Sequence, residues 1–397
     1  MPDLLSSLKI LDFSTLVPGP FASLLLADWG ADVIRVEAPD RLDMMRLQPP
    51  FDGEHAAWHA VINRNKRSLS LNLKHPAAPD VVKQLVQEYD IVLEQFRPGV
   101  MDRLGVGYDA LRAANPRLIY CAISGFGQDG PDRDRAAHDI NLVARSGIAG
   151  HSGYAASGPP PLGIQIADMG SSFIALTGLL AAVIYREQTG IGQMIDVSML
   201  DAAMTWNTLA ATEYLVGGVD PTREGSVLTG GGYYGYYRTR DDRYLAVGSL
   251  EPKFWQGFCQ AIDRPDLVEL GLTAGLRDQQ RARAGIAETI AQRTLAEWEA
   301  VFAPLDLCVE PVLTMREACE QPQAQARGRV VHVPRPDGGA QPQLATPLRF
   351  SACEPTYRHI GATLGEHTAE IMTGLGYRAE QIEAWQAEGM FGQANEE

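Results

Sequence analysis

Three side chains of the kind that move protons stand where the local sequence changes character. They are His138 in the run AHDIN (137–141), Asp168 in IADMG (166–170), and Glu251 directly before Pro252. An imidazole or carboxylate can serve as general acid or base, and a carboxylate can also act as a nucleophile. Each residue also has an ordinary structural use. Asp168 precedes an apolar run that reads as a helix over 169–186, and Asp is a favoured N-cap. Glu251 would hold the N-cap position before a proline at the first helical residue. A lone histidine is commonly a polar or core residue. The two readings of Asp168 are compatible, because the N–H groups at a helix N-terminus could also bind a developing oxyanion.

The elements that would position these groups follow from the patterning. Residues 8–13, 32–36, 91–94 and 118–123 read as short buried strands, and 21–29 and 78–89 as helices between them. Strands alternating with helices predict an α/β fold, a Rossmann-like large domain with a parallel sheet. The first turn lacks G-x-G-x-x-G, so a dinucleotide site is not supported. Helical runs at 140–149, 169–186 and 200–216 precede an aromatic, β-branched hairpin over 233–248 that turns at Asp241-Asp242. With 397 residues the chain exceeds one core. The reading is a large domain beginning at 1–190, linker helices at 191–224, a smaller α+β domain at 225–325, and a return segment at 326–397 that completes the large domain.

A net charge of −15 argues against a nucleic-acid or membrane-surface role, both of which need a positive face. An anionic ligand remains compatible if positive charge is local. From 55 to 79 there is no Asp or Glu, while Arg64, Lys66, Arg67 and Lys74 fall inside. Five cysteines, an odd number with no C-x-x-C, suit a reducing compartment. The opening residues show no basic stretch followed by a long apolar run, and the most apolar stretch, 173–185, is short for a bilayer span. The expectation is a cytoplasmic protein without a metal or redox cofactor.

Several segments carry a resemblance. The opening VPGPFASLLLADWGADVIRVEAP, then NRNKRSLSLNLK (63–74), FRPGVMDRLGVGYDAL (96–111), ISGFGQDGP (123–131), ADMGSSFIALTGLLAAV (167–183), GQMIDVSMLDA (192–202) and LGEHTAEIM (364–372) together resemble the family III coenzyme A transferases of the CaiB/BaiF type. The likeness runs through nearly the whole chain and is nearest to α-methylacyl-CoA racemases. It implies an interlocked homodimer and acyl-CoA as substrate, with coenzyme A entering as part of that substrate.

The same resemblance implies roles. Asp168 matches the catalytic Asp shared by the family's transferases and racemases. His138 matches the racemases' His-Asp-Ile-Asn, where transferases more often place a Tyr. Glu251 matches a Glu that pairs with that His; Asp139 reads as structural. For coenzyme A the matching positions are Arg35, Lys74, Gln95, Phe96, Arg97 and Arg103. Gln95 departs from the family's usual Asn. Inverting a carbon beside a thioester needs two acid/base groups on opposite faces, whereas a transferase needs Asp168 as a nucleophile and no His138. The reading is a 2-methylacyl-CoA racemase. A CoA transferase and a non-catalytic acyl-CoA-binding protein on the same fold are the alternatives.

Overall fold

The computed structural model describes residues 3–392, which divide into two units. The first takes the chain through Leu142, then Ile164–Ala203, then the chain from Gln323; the second takes Val143–Gly163 and Met204–Pro322. Two boundaries differ from the sequence reading. Residues 143–163 cluster with the second unit, and 191–203, expected to be linker helix, contributes a strand to the first.

The first unit is built on six strands: β1 (Lys9–Asp12), β2 (Asp32–Glu37), β3 (Arg67–Ser70), β4 (Ile91–Glu94), β5 (Ile119–Ser124) and β6 (Met194–Ser198). They pair in the order β3-β2-β1-β4-β5-β6, parallel throughout. This is the doubly wound order, with α1 (Pro18–Ala27) leaving β1 and α2 (Ala78–Leu85) joining β3 to β4. The order reverses between β1 and β4, and in such sheets ligands bind beyond the carboxyl ends of the strands at that point. Strands β4 and β5 are buried at every residue, as expected of strands covered on both faces. Leu11, Ile34, Leu69, Val82, Val92 and Val106 share one core cluster.

Between β5 and β6 run α3 (Asp139–Arg145) and α4 (Ile166–Thr189). Helix α4 has 24 residues, longer than the run read from sequence, and by length and composition alone could cross a bilayer. Its Ala175, Leu179 and Ala182 are buried, while Phe173, Ile174, Ile184 and Tyr185 are exposed on the single chain.

The return segment seals the β3 edge. Ser68 N–H donates to His367 Nδ1 (3.2 Å) and its carbonyl accepts His367 N–H (3.0 Å). Ser70 N–H donates to Thr368 Oγ1 (3.1 Å), Ser70 Oγ–H to the Phe391 carbonyl (2.9 Å), and Asn72 N–H to the Met390 carbonyl (2.7 Å). An otherwise open edge is thereby satisfied.

The second unit holds the hairpin β7 (Gly235–Arg238) and β8 (Tyr244–Val247), extended by β9 (Val309–Pro311) into an antiparallel sheet in the order β9-β8-β7. Asp242 adopts φ 62° at the turn. Helices α5 (Pro252–Ala261), α6 (Leu276–Ile290) and α7 (Leu295–Phe302) follow. Their core is aromatic, with Tyr233 stacked on Trp255 at 4.0 Å and Phe258 on Phe302 at 5.9 Å between ring centroids.

Candidate active site

Helix α4 brings Asp168 to its first turn, but not as the cap. Gln165 holds the N-cap position and Asp168 is the third helical residue. The capping oxygen comes from another segment: Asp139 Oδ1 accepts the N–H of Ala167 (2.7 Å) and of Asp168 (3.2 Å). The expectation that these N–H groups would serve an oxyanion is therefore corrected, since the Asp139 carboxylate takes both. The first turn is held further by Ser171 and Ser172, whose hydroxyls donate to the Asp168 carbonyl (2.8 and 3.0 Å); Ser172 Oγ–H also donates to the Pro18 carbonyl (2.7 Å). Burial, reinforced by the negative charge of Asp139, pushes the Asp168 carboxyl up to about 7.

His138 is exposed and stands directly before α3. Its N–H donates to Asn141 Oδ1 (3.0 Å) and its carbonyl accepts Asn141 N–H (2.9 Å), a reciprocal turn that starts the helix. His138, Asp139 and Asp168 belong to the first unit, and the Asp139 carboxylate links the histidine's segment to the aspartate's helix. Glu251 belongs to the second unit. It precedes Pro252 at the start of α5, is exposed, and makes no side-chain cap bond, so capping is not what its carboxylate does.

The predicted coenzyme A positions separate. Arg35 is 1% exposed and enclosed by acids: it pairs with Asp43, and its Nε lies 3.3 Å from Glu37 Oε1. Burial would raise the Glu37 carboxyl, but Arg35 and Arg46 outweigh it and bring Glu37 down to about 2. Arg64 and Lys66, read as part of a phosphate-facing patch, are interior as well. Arg64 Nη2 pairs with Asp28 (2.7 Å), and Lys66 Nζ lies 3.4 Å from Asp12 and donates to the Pro20 carbonyl (2.8 Å). The window from 55 to 79 lacks acids because its cations meet acids from elsewhere in the chain.

Lys74, Arg97 and Arg103 are exposed. Lys74 Nζ lies 3.7 Å from Asp40, which lines a cavity of about 1180 Å³ with Pro39, Ser70, Asn72, Gly365 and Phe391. Arg97 and Arg103 stand on either side of Gly99 in sequence, whose φ of 77° is a backbone conformation that favours glycine. Gln95 Oε1 accepts the Gly19 N–H (3.0 Å), bridging the loop after β4 to the first turn of α1 at the switch point. Phe96 is half-buried against the core, and its N–H donates to Glu94 Oε2 (2.7 Å). The second unit has its own cavity, of about 640 Å³, lined by Tyr154, Leu228, Tyr234, Tyr236, Val247 and Glu310 among others, with no Lys or Arg in its lining.

Sequence reasoning missed Asp43 and the working part of Asp139. Asp139 is marked only by its place beside His138, and its capping partners lie 28 and 29 residues away, beyond any local motif.

This doubly wound unit with a half-buried carboxyl on the first turn of a long helix agrees with the comparisons. Residues 5–368 match CoA-transferase family III, and the chain belongs to that family. It is 33% identical over 386 residues to human alpha-methylacyl-CoA racemase, covering 95% of each chain. It is 31% identical over 380 residues to the succinyl-CoA–D-citramalate CoA-transferase of Chloroflexus aurantiacus, covering 94% of each. The crystal structure of a CaiB/BaiF family protein from Brucella suis superposes with a TM-score of 0.83 at 29% identity, over 94% of this chain and 100% of that one. The family is enzymatic, and its named members include both racemases and transferases of coenzyme A.

Proposed function

We propose that the protein epimerises the α-carbon of 2-methylacyl-CoA thioesters by two-base proton transfer, with His138 and Asp168 as the acid/base pair. The observation that carries this reading is the Asp168 carboxyl. Raised to about 7, the Asp168 carboxyl can hold or yield a proton at neutral pH, as a general acid/base must. Asp168 as carboxylate takes the Cα proton, and the C–H electron pair passes into the enolate of the thioester. Protonated His138 then returns a proton to the opposite face, re-forming C–H with inverted configuration. The reverse direction exchanges the roles. Glu251 is the third residue proposed for the chemistry, on the family resemblance of its segment.

Lys74, Arg97 and Arg103 are the proposed cations for the coenzyme A phosphates, with Gln95 and Phe96 beside them. Arg35 leaves that set because its charge is committed internally. The tyrosine-rich cavity of the second unit, with Glu310 in its lining and no Lys or Arg, suits an apolar acyl group better than one ending in a second carboxylate. The acting species is proposed to be a homodimer in the cytoplasm.

The second reading, transfer of coenzyme A between carboxylates, is favoured by relatives of similar identity and by the carboxylate itself, which could attack a thioester carbonyl. One experiment separates the two. A single epimer of a 2-methylacyl-CoA is incubated in D₂O, beside an exchange assay with free carboxylates. The expected result is deuterium at Cα together with the other epimer. His138→Ala and Asp168→Ala should each lose about 10² to 10⁴ in rate, with opposite bias between epimers. Brisk exchange of coenzyme A without deuterium at Cα would sink the racemase reading.

A further inference from the structure

We propose that Asp139 is a positioning residue, whose carboxylate fixes the first turn of α4, and Asp168 with it, against the segment that carries His138. The inference rests on the reading of His138 and Asp168 as the acid/base pair. It gives the neighbour of the histidine a part that neither the family match nor the sequence reading assigns.

Asp139 Oδ1 accepts two helix N–H groups, one of them from Asp168 itself. Three geometric consequences follow. The α4 terminus cannot rotate about its axis without breaking both bonds. The carboxylate that caps α4 is attached to the residue following His138, so any shift of α3 moves both groups together. The N–H of Asp168, which could otherwise turn back to help its own carboxylate, is already taken. The last point has an electrostatic counterpart. An anion seated at the α4 N-terminus opposes ionisation of Asp168, and Asp139 is the charge that adds to burial in raising it.

Other elements packed against α4 bring little charge to that end. Helix α1 (PGPFASLLLA) has no titratable side chain and offers the Pro18 carbonyl to Ser172. Strands β5 and β6 carry Tyr120, Cys121 and Asp196, and Asp196 is engaged by the Gln128 N–H (3.0 Å). The connected segment also carries His138, with Asp132, Arg133, Asp134 and Arg135 before it and Arg145 at the far end of α3, but Asp139 is the charge that acts on Asp168 beside burial.

The test uses two variants of the full-length protein. Asp139→Asn keeps an acceptor oxygen for the two N–H groups and removes the charge; Asp139→Ala removes both. The titration of Asp168 is read without substrate, by carboxyl ¹³C NMR with Asp168→Asn as the assignment control. The expected result for Asp139→Asn is a midpoint below the starting value of about 7, an unchanged KM, and a kcat–pH limb that moves with the midpoint. For Asp139→Ala a kcat loss of about 10²-fold with little change in KM is expected, the scale of a misplaced catalytic group, with partial rescue in Asp139→Asn. Should the Ala variant fail to fold, Asp139→Ser, too short to reach the two N–H groups, takes its place. An Ala or Ser variant that folds and keeps the kcat of the unaltered protein would overturn the proposal, whatever the midpoint of Asp168 does. A shifted midpoint in a protein that never exchanges its α-proton would leave the positioning role standing and remove the racemase reading instead.

Discussion

The cations of the first unit form two sets that look alike in sequence and do opposite things. Arg35, Arg64 and Lys66 lie inside, each facing a carboxylate brought from another element. Lys74, Arg97 and Arg103 lie outside, near the carboxyl ends of β3 and β4. Both sets fall within or beside segments that resemble a coenzyme A site. What separates them is whether an acid elsewhere in the chain folds onto them, which a count of local charge does not reveal. A cluster of basic residues is therefore evidence for an anion site only after the interior pairs are subtracted.

The largest expected effect that sharpens this contrast is on Arg64. Its guanidinium is bidentate to Asp28 (2.7 and 2.8 Å), and both side chains are buried. Arg64→Ala leaves an uncompensated buried carboxylate and should cost about 3–5 kcal/mol of stability, read by urea unfolding. An Arg64→Ala protein as stable as its parent but with weakened binding of coenzyme A would move Arg64 into the exterior set.

A smaller effect is expected from the exterior set. Lys74→Glu or Arg97→Glu should leave the melting temperature nearly unchanged. Each should raise KM for acyl-CoA by the equivalent of about 1.5–3 kcal/mol, with kcat preserved, if it removes a charge-assisted bond to phosphate. Added salt should narrow the difference between variant and parent. A collapse of kcat at constant KM would mean that these side chains face the reacting carbon rather than the phosphates.

An effect that is absent at neutral pH and grows with acid is expected on the interior set. Burial, together with Arg35 and Arg46, holds His59 neutral down to about 2, against an ordinary 6.5. An unfolded chain takes that proton near 6.5 and the folded chain does not. The stabilising contribution is thus fully present above 6.5 and declines as pH falls, by about 1.4 kcal/mol per pH unit. Glu37, lowered to about 2, adds loss of the same sign below its ordinary 4.5. His59→Gln should flatten the acid side of the stability profile between pH 6.5 and 5 and change little at pH 8. Parallel profiles for the two proteins would show that His59 is protonated in the folded state.

Much of the sheet was legible in the sequence, and the reason is burial. Strands β1, β2, β4 and β5 are short apolar runs, and the hairpin of the second unit alternates as hairpins do. The strands that escaped notice, β3 and β6, are the two edges. Ser68 and Ser70 interrupt any apolar run in β3, and their hydroxyls are satisfied by Glu37 (2.7 Å) and by the Phe391 carbonyl, partners far off in sequence. The site shows the same limit. His138, Asp168 and Glu251 could be named because their motifs are local. The carboxylate that caps α4, and the acids that claim Arg35, could not, because each is a meeting of segments that only the fold brings together.

The sealed edge of β3 bears on how the chain is made. Its partners are His367, Thr368, Met390 and Phe391, roughly three hundred positions further along, with the whole second unit encoded between. During synthesis the second unit can emerge and fold while this row of donors and acceptors still waits for the chain that will cover it. For that interval the nascent protein carries an exposed strand able to pair with a neighbour on the same message. A ribosome that stops short of His367 would thus release an intact second unit attached to an adhesive sheet.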